Sequence, residues 1–232
     1  MSAGGRDAPE RTPETGDDPH VRPNLTVGGS CYHQHVNAIE FPVLGEPPAV
    51  EFANTLYGSG EEVVDYLATP GLVSGWFAAA DQPAPVSWSD DEIGRLRELR
   101  DAVHDVLSAE VDAVRPRATS LAAINRCLAA APVRWTLGWG PGEGMLIGTE
   151  PSALGVPGVL GRLALGCVES LAGSPDSRVR RCEGPGCSLF FVKNHSRRRW
   201  CHDSCGHRAR QSRYYRRHRR GAEGSPSPQE PR

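Results

Sequence analysis

The most regular hydrophobic pattern in the chain begins after Ser89-Asp-Asp-Glu92. Ile93, Leu96, Leu99, Val103, Val106, Leu107 and Val111 recur mostly at three- and four-residue spacing, with Arg95, Glu98, Asp101, Asp105 and Asp112 on the opposite face. That period puts one apolar stripe on a helix. Ser89 and Glu92 form a capping box at its start, and Pro116 is placed to stop or kink it. Residues 120–130 form a second, Ala-rich helix. Residues 156–171 form a third, with Val159, Leu160, Leu163, Cys167, Val168 and Leu171 on its core face. Between these two, residues 133–137 and 145–149 read as strands joined through Gly138-Trp-Gly-Pro-Gly142, a hairpin.

Upstream the patterns are shorter. Val50-Glu-Phe-Ala-Asn-Thr-Leu56 is too brief for periodicity to separate a strand from a buried helical turn. Thr69-Pro-Gly71 is a turn or a helix start. Residues 72–80 then read as a short helix with Leu72, Trp76 and Phe77 inward, followed by a Pro-rich linker over residues 82–86. Residues 1–40 are charged, rich in Gly and Pro and aperiodic, the composition of a disordered tail. Order is expected from Phe41, a hinge at Gly173-Ser-Pro-Asp176, and a second disordered tail over residues 221–232. The expected fold class is α+β: a mostly helical body over residues 41–173 with a small hairpin, then a small C-terminal module over residues 178–220 ending in a basic helix.

Charge sharpens this division. The formal net charge of −2 conceals 11 basic and 24 acidic side chains in residues 1–177, against 14 and 2 in residues 178–220. Such asymmetry points to a polyanion bound at the basic end, or to docking of that end on the acidic body of the same chain. No secretion signal precedes the body and no uninterrupted run of about 18 apolar residues occurs. A cytoplasmic protein without a membrane partner is expected, its thiols reduced and available to metal.

Four of the seven cysteines fall in two pairs, Cys182-x4-Cys187 and Cys201-x3-Cys205, thirteen residues apart. Zinc at structural sites takes four ligands in a tetrahedron and prefers thiolate. Two knuckles, the first turned by Gly184-Pro-Gly186, bring the four thiolates to one ion. The filled shell leaves no open position for catalysis, so the zinc is structural, holding a module too small to fold on its own core. His202 and His207 are the alternative ligands. Cys127 and Cys167 read as buried core residues, and Cys31-Tyr-His-Gln-His35 lacks further ligands. Leu189, Phe190, Phe191 and Val192, with Trp200, would supply the module's own core.

Residues 206–220 read as a helix. Arg197, Arg198, Arg199, Arg208, Arg210, Arg213, Arg216 and Arg217 are the candidate nucleic-acid contacts, since arginine displaces counterions from phosphate and pairs with guanine edges. Tyr214 and Tyr215 suit stacking or phosphate binding, with one of them packed on the module. In the body, Asn54, Thr55, Arg97 and Arg100 either line a pocket for a small anionic effector or bond the local backbone and solvent. No nucleophile–base pair, phosphate-binding Gly loop or HExxH helix is present, so the chain reads as non-enzymatic.

Val179-Arg-Arg-Cys-Glu-Gly-Pro-Gly-Cys-Ser-Leu-Phe-Phe-Val192, Ser196-Arg-Arg-Arg-Trp-Cys201 and Cys205-Gly-His-Arg-Ala-Arg210 resemble the CGNR zinc finger, whose pattern is an RRWC segment followed by Cys-Gly-Asn-Arg. His207 replaces the signature asparagine, and Lys193-Asn-His-Ser196 departs from the usual segment before RRWC; the four cysteines are intact. Upstream, Ala49-Val-Glu-Phe-Ala-Asn-Thr-Leu56, Val64-Asp-Tyr-Leu-Ala-Thr-Pro70 with Trp76, and Leu96-Arg-Glu-Leu-Arg-Asp-Ala102 are similar to the ABATE domain that usually precedes this finger. The resemblance implies a zinc-dependent transcription regulator of the stress response. Its finger would bind duplex DNA while its body senses an effector or forms a homodimer. RNA or ribosome binding and a protein-adaptor role are the alternatives.

Overall fold

The computed structural model describes residue 41 and residues 43–58, 63–140, 142, 144–173 and 178–223. The expectations for residues 1–40, Cys31-Tyr-His-Gln-His35 included, for residues 224–232 and for most of the hinge fall outside the described residues; residues 221–223, expected in the C-terminal tail, instead end the final helix. The order of elements is α1 (Pro48–Ala53), β1 (Leu56–Tyr57), β2 (Val64–Asp65), α2 (Pro70–Ala79), α3 (Asp90–Asp112), α4 (Ala118–Ala130), β3 (Val133–Gly140), β4 (Gly144–Pro151), α5 (Gly155–Ala172), β5 (Val179–Arg181), β6 (Phe190–Val192) and α6 (Asp203–Glu223). The strands form three separate antiparallel pairs, β1–β2, β3–β4 and β5–β6. The architecture is the expected α+β, mostly helical, with a four-cysteine module before a final helix.

The start of α3 is set by the expected capping box: Ser89 Oγ accepts from the Glu92 N–H, and the Glu92 carboxylate accepts from the Ser89 N–H at 2.8 Å. Two backbone donors that a helix start leaves unpaired are thereby satisfied. The end lies earlier than Pro116. Ala113 adopts a left-handed conformation (φ 53°) and the Val114 N–H reaches back to the Ala109 carbonyl, which closes the last turn first. The stripe on α3 is buried as expected, with Val111 at its margin.

One open reading is decided and two local expectations change. Residues 50–53, left open between a strand and a buried helical turn, are helical in α1, and the chain enters β1 at Leu56. On α2 the buried face is Val73, Trp76 and Phe77, and Leu72 is only half-buried. Val73, Trp76 and Phe77 are spaced i, i+3, i+4, whereas Leu72 lies about 100° round from Val73. On α5 the buried face is Val156, Val159, Leu160, Leu163, Ala164 and Cys167, while Val168 and Leu171 are exposed. Val168 is off the stripe, and Leu171 sits in the final turn of the helix.

Helix α5 is long and apolar enough to cross a membrane by length and composition, despite Arg162 and Glu169. Its apolar face is taken up by packing against α1, α3 and α4. Gly161 permits a close approach: a Cβ there would lie 2.5 Å from the Ala131 Cβ.

Strands β3 and β4 pair from Val133↔Pro151 to Gly140↔Gly144. They run through Gly138, Trp139 and Gly140, so the hairpin does not turn at Gly138 as expected. Short strands β5 and β6 pair Val179↔Val192, Arg180↔Phe191 and Arg181↔Phe190.

Candidate metal centre and nucleic-acid interface

Strands alternate their side chains between two faces, and β6 applies that rule to Leu189-Phe-Phe-Val192. Leu189 and Phe191 pack beside the cysteines, together with half-buried Trp200. Phe190 and Val192 point the other way, into the core shared with α1, α3 and α5. The expectation that all four apolar residues form a private core for the module is therefore corrected. The module is built as a layer between the four thiols on one side and the body on the other.

Polar groups lock this seam. Asn54 Nδ2 donates to the Phe190 carbonyl at 3.0 Å, and the Phe190 N–H donates to Asn54 Oδ1 at 2.8 Å. The Glu46 carboxylate accepts from the Val192 N–H at 2.8 Å and from Arg198 Nη2. Arg198 also donates to the Val192 and Cys201 carbonyls and lies over the Phe191 ring, its guanidinium carbon 4.8 Å from the centroid. On the far side Arg181 pairs with Asp112 at 3.0 Å. The His104 ring packs edge-on against Phe190 with centroids 5.0 Å apart. Burial, and then the nearby Arg181 guanidinium, hold that imidazole below its ordinary range.

The Sγ atoms of Cys182, Cys187, Cys201 and Cys205 all lie within 4.8 Å of one another. Cys187 and Cys201 are 3.7 Å apart, and Cys201 and Cys205 are 3.6 Å apart. A tetrahedron with Zn–S bonds of about 2.3 Å has edges of about 3.8 Å. The spacing therefore fits one ion in a four-thiolate shell, and is much longer than the ~2.05 Å of a disulfide. Gly186 (φ 69°) makes the left-handed turn of the first knuckle, where the Cys187 N–H bonds the Gly184 carbonyl. Cys182 Sγ accepts from the Gly184 N–H at 3.4 Å and the Cys201 N–H at 3.3 Å, and Arg208 Nη2 lies 3.0 Å from Cys205 Sγ. Such outer bonds orient the thiolates and offset their charge. Hydrogen bonding among the thiols holds Cys182 down, through Cys187 first, and pushes Cys201 up, through Cys182 first. Four thiolates this close need a cation among them, and zinc supplies it.

Residues 46–174 match the family described as "Putative stress-induced transcription regulator", ABATE, and residues 178–218 match the CGNR zinc finger. The chain belongs to the ABATE family. Both are regulator-type families rather than enzyme families, and the finger carries one structural zinc ion. No match was found among curated proteins.

Zinc anchors the first turns of α6, where Cys205 is buried and Trp200 packs on Gly206. Further along, Arg210, Arg213, Arg216 and Arg217 are exposed, and none of them forms an ion pair among the described residues. Arg210, Arg213 and Arg217 share one face at i, i+3, i+7 spacing and, with Tyr214 and Tyr215, line an open cleft of about 560 Å³. Both tyrosines are exposed, so neither packs on the module as expected; their rings meet each other at 5.8 Å. A second cleft of about 400 Å³ is lined by Arg197, Arg199, His195, His202 and Trp200.

The eight arginines thus divide. Arg198 and Arg208 bond inward, Arg199 pairs with Glu183, and the other five face solvent. The body quartet is engaged within the protein. Asn54 holds Phe190, Thr55 donates to the Phe52 carbonyl, Arg97 donates to the Leu67 and Ala68 carbonyls, and buried Arg100 pairs with Asp65 and Asp101. Glu46 and Glu51 carry structural roles that no sequence motif marks. Their one signal is a pair of carboxylates beside the Pro47–Pro48 helix start, an unusual place for a buried acid.

Proposed function

We propose that this ABATE protein is a zinc-dependent, DNA-binding transcription regulator of the cytoplasm, with α6 as the DNA-contacting element. The observation that carries the reading is the exposed stripe of Arg210, Arg213, Tyr214 and Arg217 on a helix whose base is fixed by the four-cysteine site. The major groove of B-DNA admits a helix, and free guanidinium groups suit phosphate and guanine contacts there. The cleft beside Trp200 adds solvent-facing Arg197 on the same module. The body's part is to set the pose of the finger through the Asn54–Phe190 and Glu46–Arg198 bonds, so an effector acting on the body would be felt at α6.

The test is duplex binding by the zinc-loaded full chain, read by fluorescence anisotropy over a salt series. Replacing Arg210, Arg213 and Arg217 with Ala should weaken binding and flatten the log–log salt slope by about 3, since each arginine neutralises one phosphate. An unchanged slope overturns the assignment of α6. Preference for single-stranded RNA in direct competition overturns the choice of DNA.

A further inference from the structure

We propose that the apolar face of the β3–β4 hairpin is the surface through which two copies of this chain associate. Alternation along β3 sets Trp135, Leu137 and Trp139 on one face, and the register Leu137↔Ile147 and Trp139↔Met145 adds Ile147 and Met145 beside them. All five are open to solvent: Trp135 66%, Leu137 70%, Trp139 72%, Met145 57% and Ile147 72%. A lone two-stranded hairpin is at best marginally stable in water. A contiguous apolar face of this size marks an association surface on a soluble protein. With two tryptophans and three aliphatic or thioether side chains, the face offers about 600 Å² per copy, so two copies bury about 1,200 Å², the lower end of stable specific interfaces.

Charge identifies the occupant. From residue 133 to residue 151 the only charged residues are Arg134, Glu143 and Glu150, and alternation puts Arg134 on the reverse face. Nucleic acid or an anionic lipid surface would find no counter-charge among the five side chains. The complement must itself be apolar, and the same face on a second copy is such a complement. Packing about a twofold axis sets like apolar side chains against each other with no like charges opposed. Residues 1–177 carry 11 basic and 24 acidic side chains, so two such bodies carry like net charge. The nearly uncharged hairpin is where they meet at least electrostatic cost.

Sedimentation velocity of the zinc-loaded full chain tests this across micromolar concentrations, paired with tryptophan emission on dilution. The wild type is expected to sediment at twice the monomer mass, with emission shifting to the red as dilution separates the copies. Leu137→Glu/Ile147→Glu is expected to weaken self-association at least tenfold without altering the melting of the body. Arg134→Glu, on the reverse face, is expected to leave the dimer intact. Should the double variant fail to fold, Trp139→Ala in the same measurement gives the same reading. A wild type that stays monomeric overturns the proposal, as does a dimer indifferent to the face substitutions. Shielding of the hairpin tryptophans from a soluble quencher in a monomer would show that the chain covers this face itself, and would equally overturn it.

Discussion

The Asn54 carboxamide and the Phe190 backbone close two hydrogen bonds across 136 residues of chain, at 3.0 and 2.8 Å. Phe190 lies in β6, which pairs only with β5 among the described residues, so its outward N–H and C=O would be left without a partner inside the core. One primary amide supplies both a donor and an acceptor and takes the place of the missing strand. Asn54 is thus a seal between body and finger. Replacing it with Leu strands two buried backbone groups and is expected to cost about 2–4 kcal/mol. Urea unfolding of the holo protein checks this, and a loss below the scatter of surface substitutions would count against it.

The same seam ties zinc to the body. Val179 and Phe190 of the finger belong to the body's core, and Leu44 and Tyr57 of the body pack beside the cysteines. Removal of zinc by a chelator, or Cys182→Ser, is therefore expected to lower the melting temperature of the body as well as that of the finger. Far-UV circular dichroism and tryptophan emission should move together. A body transition that stays in place after chelation would contradict the coupling.

Glu51 makes stability depend on pH. Its carboxylate accepts from the Leu44 and Glu46 N–H groups, each at 2.7 Å, with its other oxygen buried and unpaired. Burial raises the carboxyl from 4.5 to about 7, with those backbone donors offsetting part of the rise. Between those values the folded chain keeps a proton that the unfolded chain has released. Stability contributed by this group is therefore full at the acid end and lost as pH rises through the window, by about 3 kcal/mol in all. Glu51→Gln should flatten that part of the profile in a pH series of urea titrations; an unchanged slope would assign it elsewhere.

Arginines of one finger should separate by role. Arg198 is held by Glu46 and three carbonyls over Phe191, whereas Arg213 is exposed on α6. Arg198→Ala is expected to cost about 2–4 kcal/mol of stability, because it leaves the Glu46 carboxylate buried without its cation. Arg213→Ala should leave melting within about 0.5 kcal/mol of wild type while weakening DNA binding. Finding the two effects exchanged would reverse the assignment.

Much of the local structure is legible in the chain, because its causes are local. The Ser89–Glu92 box, the stripe on α3 and the two cysteine knuckles each depend on residues a few positions apart. Differences arise where two local signals compete. Gly138 and Gly140 have the character of turn residues, yet both lie within the paired strand β3. Leu72 and Val73 are equally apolar, and only the position of the core selects Val73.

The amino-acid sequence by itself marked the metal centre: four thiols in two knuckle-spaced pairs, the first turned at Gly186, are the ligand set of one ion. It also determined the charge of α6, since no acidic residue lies between Asp203 and Glu223. Tertiary structure alone decided which side of β6 each apolar residue serves, why Asn54 and Glu46 are buried, and which arginines remain free. The physical reason is that period-2 alternation names two faces without naming what covers either. A buried polar group is tolerated only when a partner from another part of the fold meets it.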